Sequence, residues 1–187
     1  MSVAPVLQGH RRMTARPAAD EHHWRPQVCL LKVLAGVGRY GRAVPVRLSP
    51  RLVAVVNALP LEPHFRVLEI GCGSGAAARA VADRLHGGHI LAIDRSATAV
   101  AQARAGARDQ IAQGRMRVRQ VAAEEFVLLP EEEPFDLVFG VRVGALDGRY
   151  PESGKRVIER ISGATQPHAR LFIDGGDPLR ELLIPRL

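Results

Sequence analysis

Beyond residue 60, short apolar runs alternate with longer stretches whose apolar positions recur at helical spacing. Arg66 to Ile70, His89 to Ile93, Met116 to Val121, Asp136 to Val141 and Ala169 to Asp174 read as five strands. Three helices are expected between them. Ala76 to Leu85 is closed by Gly87-Gly88. Ala97 to about Gln113 is capped by Ser96 and ended by Gly114, and Glu152 to Gly163 completes the set. A further helix, Arg51 to Leu59, is expected ahead of them, with Ser49 as N-cap and Pro50 at its first position. Strands separated by helical stretches imply right-handed crossovers, and hence an α/β fold whose parallel sheet is covered on both faces.

The pattern ahead of residue 60 is different. Residues 1–25 mix Pro, Ala, Arg and His with no sustained period and are expected to form a disordered basic tail. Residues 26–60 are expected to form a helical N-terminal segment, and residues 61–187 the main domain. The whole chain of 187 residues carries a net charge of +7. Residues 1–50 hold eight basic side chains against Asp20 and Glu21, whereas residues 51–187 hold eighteen against seventeen. The basic character therefore belongs to the N-terminal segment, which argues against a nucleic-acid-binding face on the domain.

No apolar run approaches the roughly 20 residues of a membrane span, and no secretory signal is evident. Two cysteines, Cys29 and Cys72, exclude a disulfide framework and a four-cysteine metal centre. A cytoplasmic protein with no bound metal is expected.

Chemistry concentrates at Glu69-Ile70-Gly71-Cys72-Gly73-Ser74-Gly75, where an apolar strand runs into a glycine loop with a helix directly behind. Glycine lets the backbone take positive φ and approach a ligand closely, and the helix start offers unpaired N–H groups. Gly71, Gly73 and Ala76 also satisfy a dinucleotide-type pattern. Glu69 separates the two cofactor classes. A carboxylate at that turn repels a pyrophosphate and attracts a sulfonium or an amino-acid ammonium. Asp94 ends the second strand, where a carboxylate accepts hydrogen bonds from ribose hydroxyls.

At these residues the chain resembles the class I methyltransferases that use S-adenosylmethionine. The first motif, Val67-Leu68-Glu69-Ile70-Gly71-Cys72-Gly73-Ser74-Gly75, and the fourth, Phe135-Asp136-Leu137-Val138, carry the resemblance, which covers roughly residues 50–175. It implies a Rossmann-like doubly wound sheet of parallel order 3-2-1-4-5. It also implies a cofactor site formed by Glu69, Gly71, Cys72, Gly73, Gly75, Asp94, Arg95, Ala123 and Glu124. The glycine loop would support the methionyl part and ribose, and Glu69 would contact the methionine end. Where the family often carries an acidic residue or Asn for the adenine amino group, this chain has Ala122; a backbone group near Ala123, or Glu124, stands in. Asp136 starts its strand as a structural residue. For Cys72 a space-filling role is expected rather than nucleophilic catalysis.

The expected activity is methyl transfer from S-adenosylmethionine to a small-molecule acceptor, with nucleic-acid and protein acceptors left open. Arg142, Asp147, Tyr150 and Asp174 are the acceptor-side residues, and no general base is assigned. A non-catalytic cofactor-binding partner subunit and an NAD-dependent oxidoreductase remain as alternatives.

Only thirteen residues follow Asp174, and Pro178 and Pro185 interrupt them. The family's usual C-terminal antiparallel strand pair is therefore expected to be missing. That would leave the edge of strand five exposed and Leu182, Leu183 and Ile184 without a place in the core, so a homodimer formed at this edge is expected.

Overall fold

The computed structural model describes residues 48–185. The expected tail over residues 1–25, and the part of the helical segment before residue 48, lie outside these residues. Six strands form one sheet in the order β3-β2-β1-β4-β5-β6. They are β1 Arg66–Ile70, β2 His89–Asp94, β3 Met116–Gln120, β4 Phe135–Gly140, β5 Thr165–Asp174 and β6 Leu179–Leu182. The first five are parallel, as the alternating pattern requires, and β6 runs antiparallel to β5.

Alternation along each strand divides the core between the two faces of the sheet. Val67, Ile90, Ala92, Leu137 and Phe139 pack under α1 (Pro50–Ala58), α2 (Ala76–Ala82) and α3 (Ala97–Gly106). Leu68, Ile70, Leu91, Ile93 and Val138 pack on the other face with Val157 and Ile161 of α5 (Pro151–Gly163). Both residue sets are almost fully buried, and each large aliphatic side chain so placed contributes roughly 1.5–3 kcal/mol. Glu69 falls at a position that shares its face with Val67, and is itself 3% exposed. A charged residue type thus stands where the pattern calls for an apolar one.

Three element boundaries depart from the sequence reading. The long helix after Ser96 is broken at Ala107 into α3 and a short α4, Arg108–Ala112. Gly106, just before the break, packs so tightly on Arg79 that a Cβ there would lie 2.5 Å from its guanidinium. α2 stops at Ala82 because its last turn tightens, with Arg84 N–H bonding Val81 and Leu85 N–H bonding Ala82. β5 begins four residues early, at Thr165, across a register shift opposite Phe135 and Leu137.

The C-terminal expectation is corrected. Instead of a bare β5 edge, β6 pairs with it from Leu171↔Leu182 to Asp174↔Leu179. Pro178 does not prevent this, because it precedes the strand and the four residues after it are free to pair. Ile184 is 6% exposed in the α5-side core and Leu182 packs against it, so only Leu183 is left at the surface. The argument for a dimer through the edge of β5 falls away with the exposed edge. None of the described helices is long and apolar enough to cross a membrane.

Candidate functional site

β1 lies between β2 and β4, the point where a doubly wound sheet reverses its order and opens a crevice at the carboxyl ends of the strands. Pairing aligns Ile70 with Ile93 and with Gly140, so the loops after β1, β2 and β4 emerge side by side.

The glycine loop takes its shape from three left-handed residues: Gly71 (φ 69°), Gly73 (φ 53°) and Gly75 (φ 71°). They serve different needs. A Cβ on Gly75 would stand 2.9 Å from the Ala103 methyl, so this glycine lets the loop close onto α3. A Cβ on Gly73 would meet nothing within 4 Å, so Gly73 presents open backbone. Asp94 fixes the loop from β2. One carboxylate oxygen accepts Gly73 N–H at 2.9 Å, and the other accepts Ser96 N–H at 2.9 Å. Each oxygen keeps lone-pair capacity for a further donor.

Two cavities flank this loop, one on each face of the sheet end. The smaller, about 240 Å³, is lined by Glu69, Cys72, Gly73, Leu52, Arg51 and Arg142 among others. Glu69 accepts a hydrogen bond from the backbone of Ala78, but its Oε2 is buried with no partner. Burial, more than the neighbouring charge of Asp94, pushes its carboxyl up to about 8. The Cys72 thiol in the same cavity is pushed up to about 12 by burial and then by Glu69 and Asp94, so it is a neutral thiol and a poor nucleophile.

The larger cavity, about 540 Å³, is lined by Asp94, Arg95, Ala123 and Glu124 after β2 and β3, and by Arg142, Val143, Gly144, Tyr150 and Ser153 after β4. Ala123 and Glu124 sit in a short 3-10 turn, Ala123–Glu125. Ala122, directly before it, is not among the lining residues.

Arg142 borders both cavities. It holds a left-handed backbone (φ 59°), unusual for a residue with a side chain. Asp174, 9% exposed at the end of β5, accepts Arg142 N–H at 2.8 Å with one oxygen. The other oxygen accepts Arg51 Nη2 of α1 at 2.6 Å.

Of the residues expected from sequence, the cavities bring together Glu69, Gly71, Cys72, Gly73, Asp94, Arg95, Ala123, Glu124, Arg142 and Tyr150. Gly75, Asp147 and Asp174 line neither. Gly75 instead packs on α3, and Asp174 acts underneath by fixing Arg142. Asp147 is held by the Arg149 guanidinium, which keeps its carboxyl below the usual range. Sequence reading missed Arg51 and Leu52, which reach the smaller cavity from α1. It also missed the bond from Asp174 that holds Arg142. Neither carries a motif; the one available hint was α1's position just ahead of the domain. Among the described residues no His, Cys, Asp and Glu cluster suits a metal ion.

Residues 67–168 match the model of a methyltransferase domain family. A protein-L-isoaspartate O-methyltransferase of Methylorubrum populi is 35% identical over 137 residues, 73% of this chain and 57% of that protein. The chain spans little more than half the length of the curated relatives it matches. Among solved structures, a SAM-dependent methyltransferase from Geobacter sulfurreducens in complex with S-adenosyl-L-homocysteine is 25% identical. The match has a TM-score of 0.53 and covers 67% of this chain and 48% of that one. The cyclase SpnF is 28% identical with a TM-score of 0.52, over 65% of this chain and 42% of that one. One fold therefore carries proteins named for different reactions.

Proposed function

The chain belongs to the class I, S-adenosylmethionine-dependent methyltransferase family, and from that premise we propose that it binds S-adenosylmethionine across the two cavities and transfers the methyl group to an acceptor entering the larger one. The observation that carries the cofactor reading is the orphaned Oε2 of Glu69. A buried carboxylate with one oxygen unpartnered is costly and calls for a cation, and the ammonium of the methionyl group supplies one. The same carboxylate disfavours a dinucleotide, whose pyrophosphate would have to lie against it.

The residues fit the cofactor along its length. Glu69 and the open backbone at Gly73 would hold the methionyl end, with Arg51 and Arg142 on the same cavity as carboxylate partners. Asp94 has acceptor capacity left for the ribose hydroxyls. Ala123 and Glu124 border the adenine end, and because Ala122 does not line the cavity, the neighbouring turn is the part available there. When bound, S-adenosylmethionine supplies an electrophilic methyl group on a positively charged sulfur. The chain's own contribution is to orient the reactants and exclude water, which removes several kcal/mol of barrier in well-positioned reactions.

The acceptor shares about 540 Å³ with the adenosine end, so the group that enters is a small molecule or a single projecting peptide side chain. The name of the Methylorubrum populi relative favours the second of these, a protein acceptor. Calorimetric titration of the full chain with S-adenosylhomocysteine and with NAD tests the cofactor reading. Binding of the first and not of the second is expected, and the reverse would overturn it.

A further inference from the structure

Asp174 lines neither cavity, yet it is bonded to two of the residues that wall the smaller one. It ends β5 with its carboxylate buried. One oxygen accepts the Arg142 backbone N–H at 2.8 Å, and the other pairs with Arg51 Nη2 at 2.6 Å. The two contacts have different effects. Left-handed backbone is disfavoured for a residue with a side chain, so the bond to the N–H keeps Arg142 in a conformation that its residue type resists. The ion pair fastens the end of a helix. The buried residues of α1 are Val55 and Val56, both in its second half. Its first turn reaches the cavity through Arg51 and Leu52. That turn is seated, among the described residues, by the partly buried Leu52 and by this pair. Arg51 gives one nitrogen to Asp174 and keeps further N–H groups for another anion.

We infer that Asp174 is a positioning residue for the methionyl end of the cofactor. Through one carboxylate it sets Arg142 by its backbone and Arg51 by its guanidinium, and both then wall the cavity that takes the cofactor's own carboxylate. The inference rests on the cofactor reading above, and it moves Asp174 from the acceptor side to the cofactor side. Ordering the two arginines before the ligand arrives removes part of the entropy cost of binding. The adenosine end would lie in the larger cavity against Asp94, Ala123 and Glu124, none of which is bonded to Asp174 among the described residues. The consequence is selective. Loss of Asp174 weakens ligands that carry an amino-acid end and spares those that lack one.

The test titrates the full chain with S-adenosylhomocysteine and with 5′-methylthioadenosine, which keeps the adenosine and the thioether but has no amino-acid end. Asp174→Asn keeps an acceptor for the Arg142 N–H and removes the ion pair, whereas Arg51→Ala removes the pair alone. Each should weaken S-adenosylhomocysteine roughly three- to tenfold and leave 5′-methylthioadenosine within about twofold. Asp174→Ala, which loses both contacts, should weaken the first ligand at least about tenfold, and Arg51→Lys should restore part of what Arg51→Ala loses. Added to Arg51→Ala, Asp174→Asn should cost less than about a further twofold, because the two residues act as one unit. Equal weakening of both ligands overturns the inference, since a general loosening of the fold does that. Unchanged S-adenosylhomocysteine affinity in folded variants also overturns it, as do independent, additive losses at Arg51 and Asp174. If Asp174→Ala does not fold, the two milder variants and their combination decide. Failure of the unmodified chain to bind S-adenosylhomocysteine would instead sink the cofactor reading, and the inference with it.

Discussion

The two cavities are built by different means, although they share Gly71 and Arg142. Most of the smaller is made of elements adjacent in sequence, with Arg51 and Leu52 of α1 and Val141 and Arg142 after β4 completing its wall. β1, the glycine loop and α2 run continuously from Arg66 to Ala82, and one contact from Asp94 fixes them. Its chemistry lies in backbone and in a buried carboxylate. The acceptor side of the larger cavity is a loop of surface side chains after β4. Its shape depends on a bond spanning 32 residues, from Arg142 to Asp174. The contrast suggests that a reaction shared with many proteins is written in local geometry, while the choice of acceptor is left to a loop that varies without disturbing the sheet.

Substitutions on the two sides should therefore fail differently. The largest effect is expected at Gly75. An alanine there must hold φ 71° and place its methyl 2.9 Å from that of Ala103, so a loss of about 3 kcal/mol is expected from the left-handed backbone and overpacking together. Gly73→Ala faces open space and should cost only about 1 kcal/mol. Urea unfolding of the two variants measures the difference. Equal losses would mean that the loop is not wedged against α3.

Glu69 gives the next effect and the one with a pH signature. Its folded pKa of about 8 lies above the ordinary 4.5, so the folded protein keeps a proton that the unfolded chain releases. Its contribution to stability is therefore greatest below pH 4.5 and is lost progressively as pH rises toward 8. Glu69→Gln should flatten that part of the stability profile. A cationic ligand selects the ionised form, so S-adenosylhomocysteine should bind more tightly between pH 6 and 8, by at most tenfold per unit. In Glu69→Gln, affinity at pH 8 should fall roughly 10- to 100-fold, as for loss of a charge-assisted hydrogen bond. An unchanged slope would remove Glu69 from the ammonium site.

Asp94→Ala is expected to weaken S-adenosylhomocysteine binding by about 1.5–3 kcal/mol. Because Asp94 also holds Gly73 and Ser96, part of that loss would come from a loosened loop. Asp94→Asn, which keeps an acceptor, should recover some of it. Calorimetry on both variants separates the roles, and full affinity in a folded Asp94→Ala would exclude Asp94 from the ribose site. The smallest effect belongs to Asp147. It pairs with Arg149 outside both cavities, so Asp147→Asn should leave melting temperature and methyl transfer unchanged. A large fall in transfer would move Asp147 into the acceptor site.

The sequence by itself determined the five parallel strands, because an apolar run between helical stretches has few ways to bury itself except in a covered parallel sheet. It also marked the residues proposed here for the cofactor end. Glycines at alternate positions and a carboxylate in an apolar strand are local departures from pattern, and Glu69 and Asp94 show them without a partner in view. Only the tertiary structure decided how the far edge closes and what shapes the acceptor side. β6 is four residues long and follows a proline, too short for periodicity to show, and its stability comes from pairing with β5. Asp174 read as an acceptor-side residue. Its position beneath Arg142 depends on β4 and β5 lying side by side, and Arg51 reaches it across 123 residues. Contacts of that range leave no spacing in the sequence, because the sheet sets them and the chain between does not.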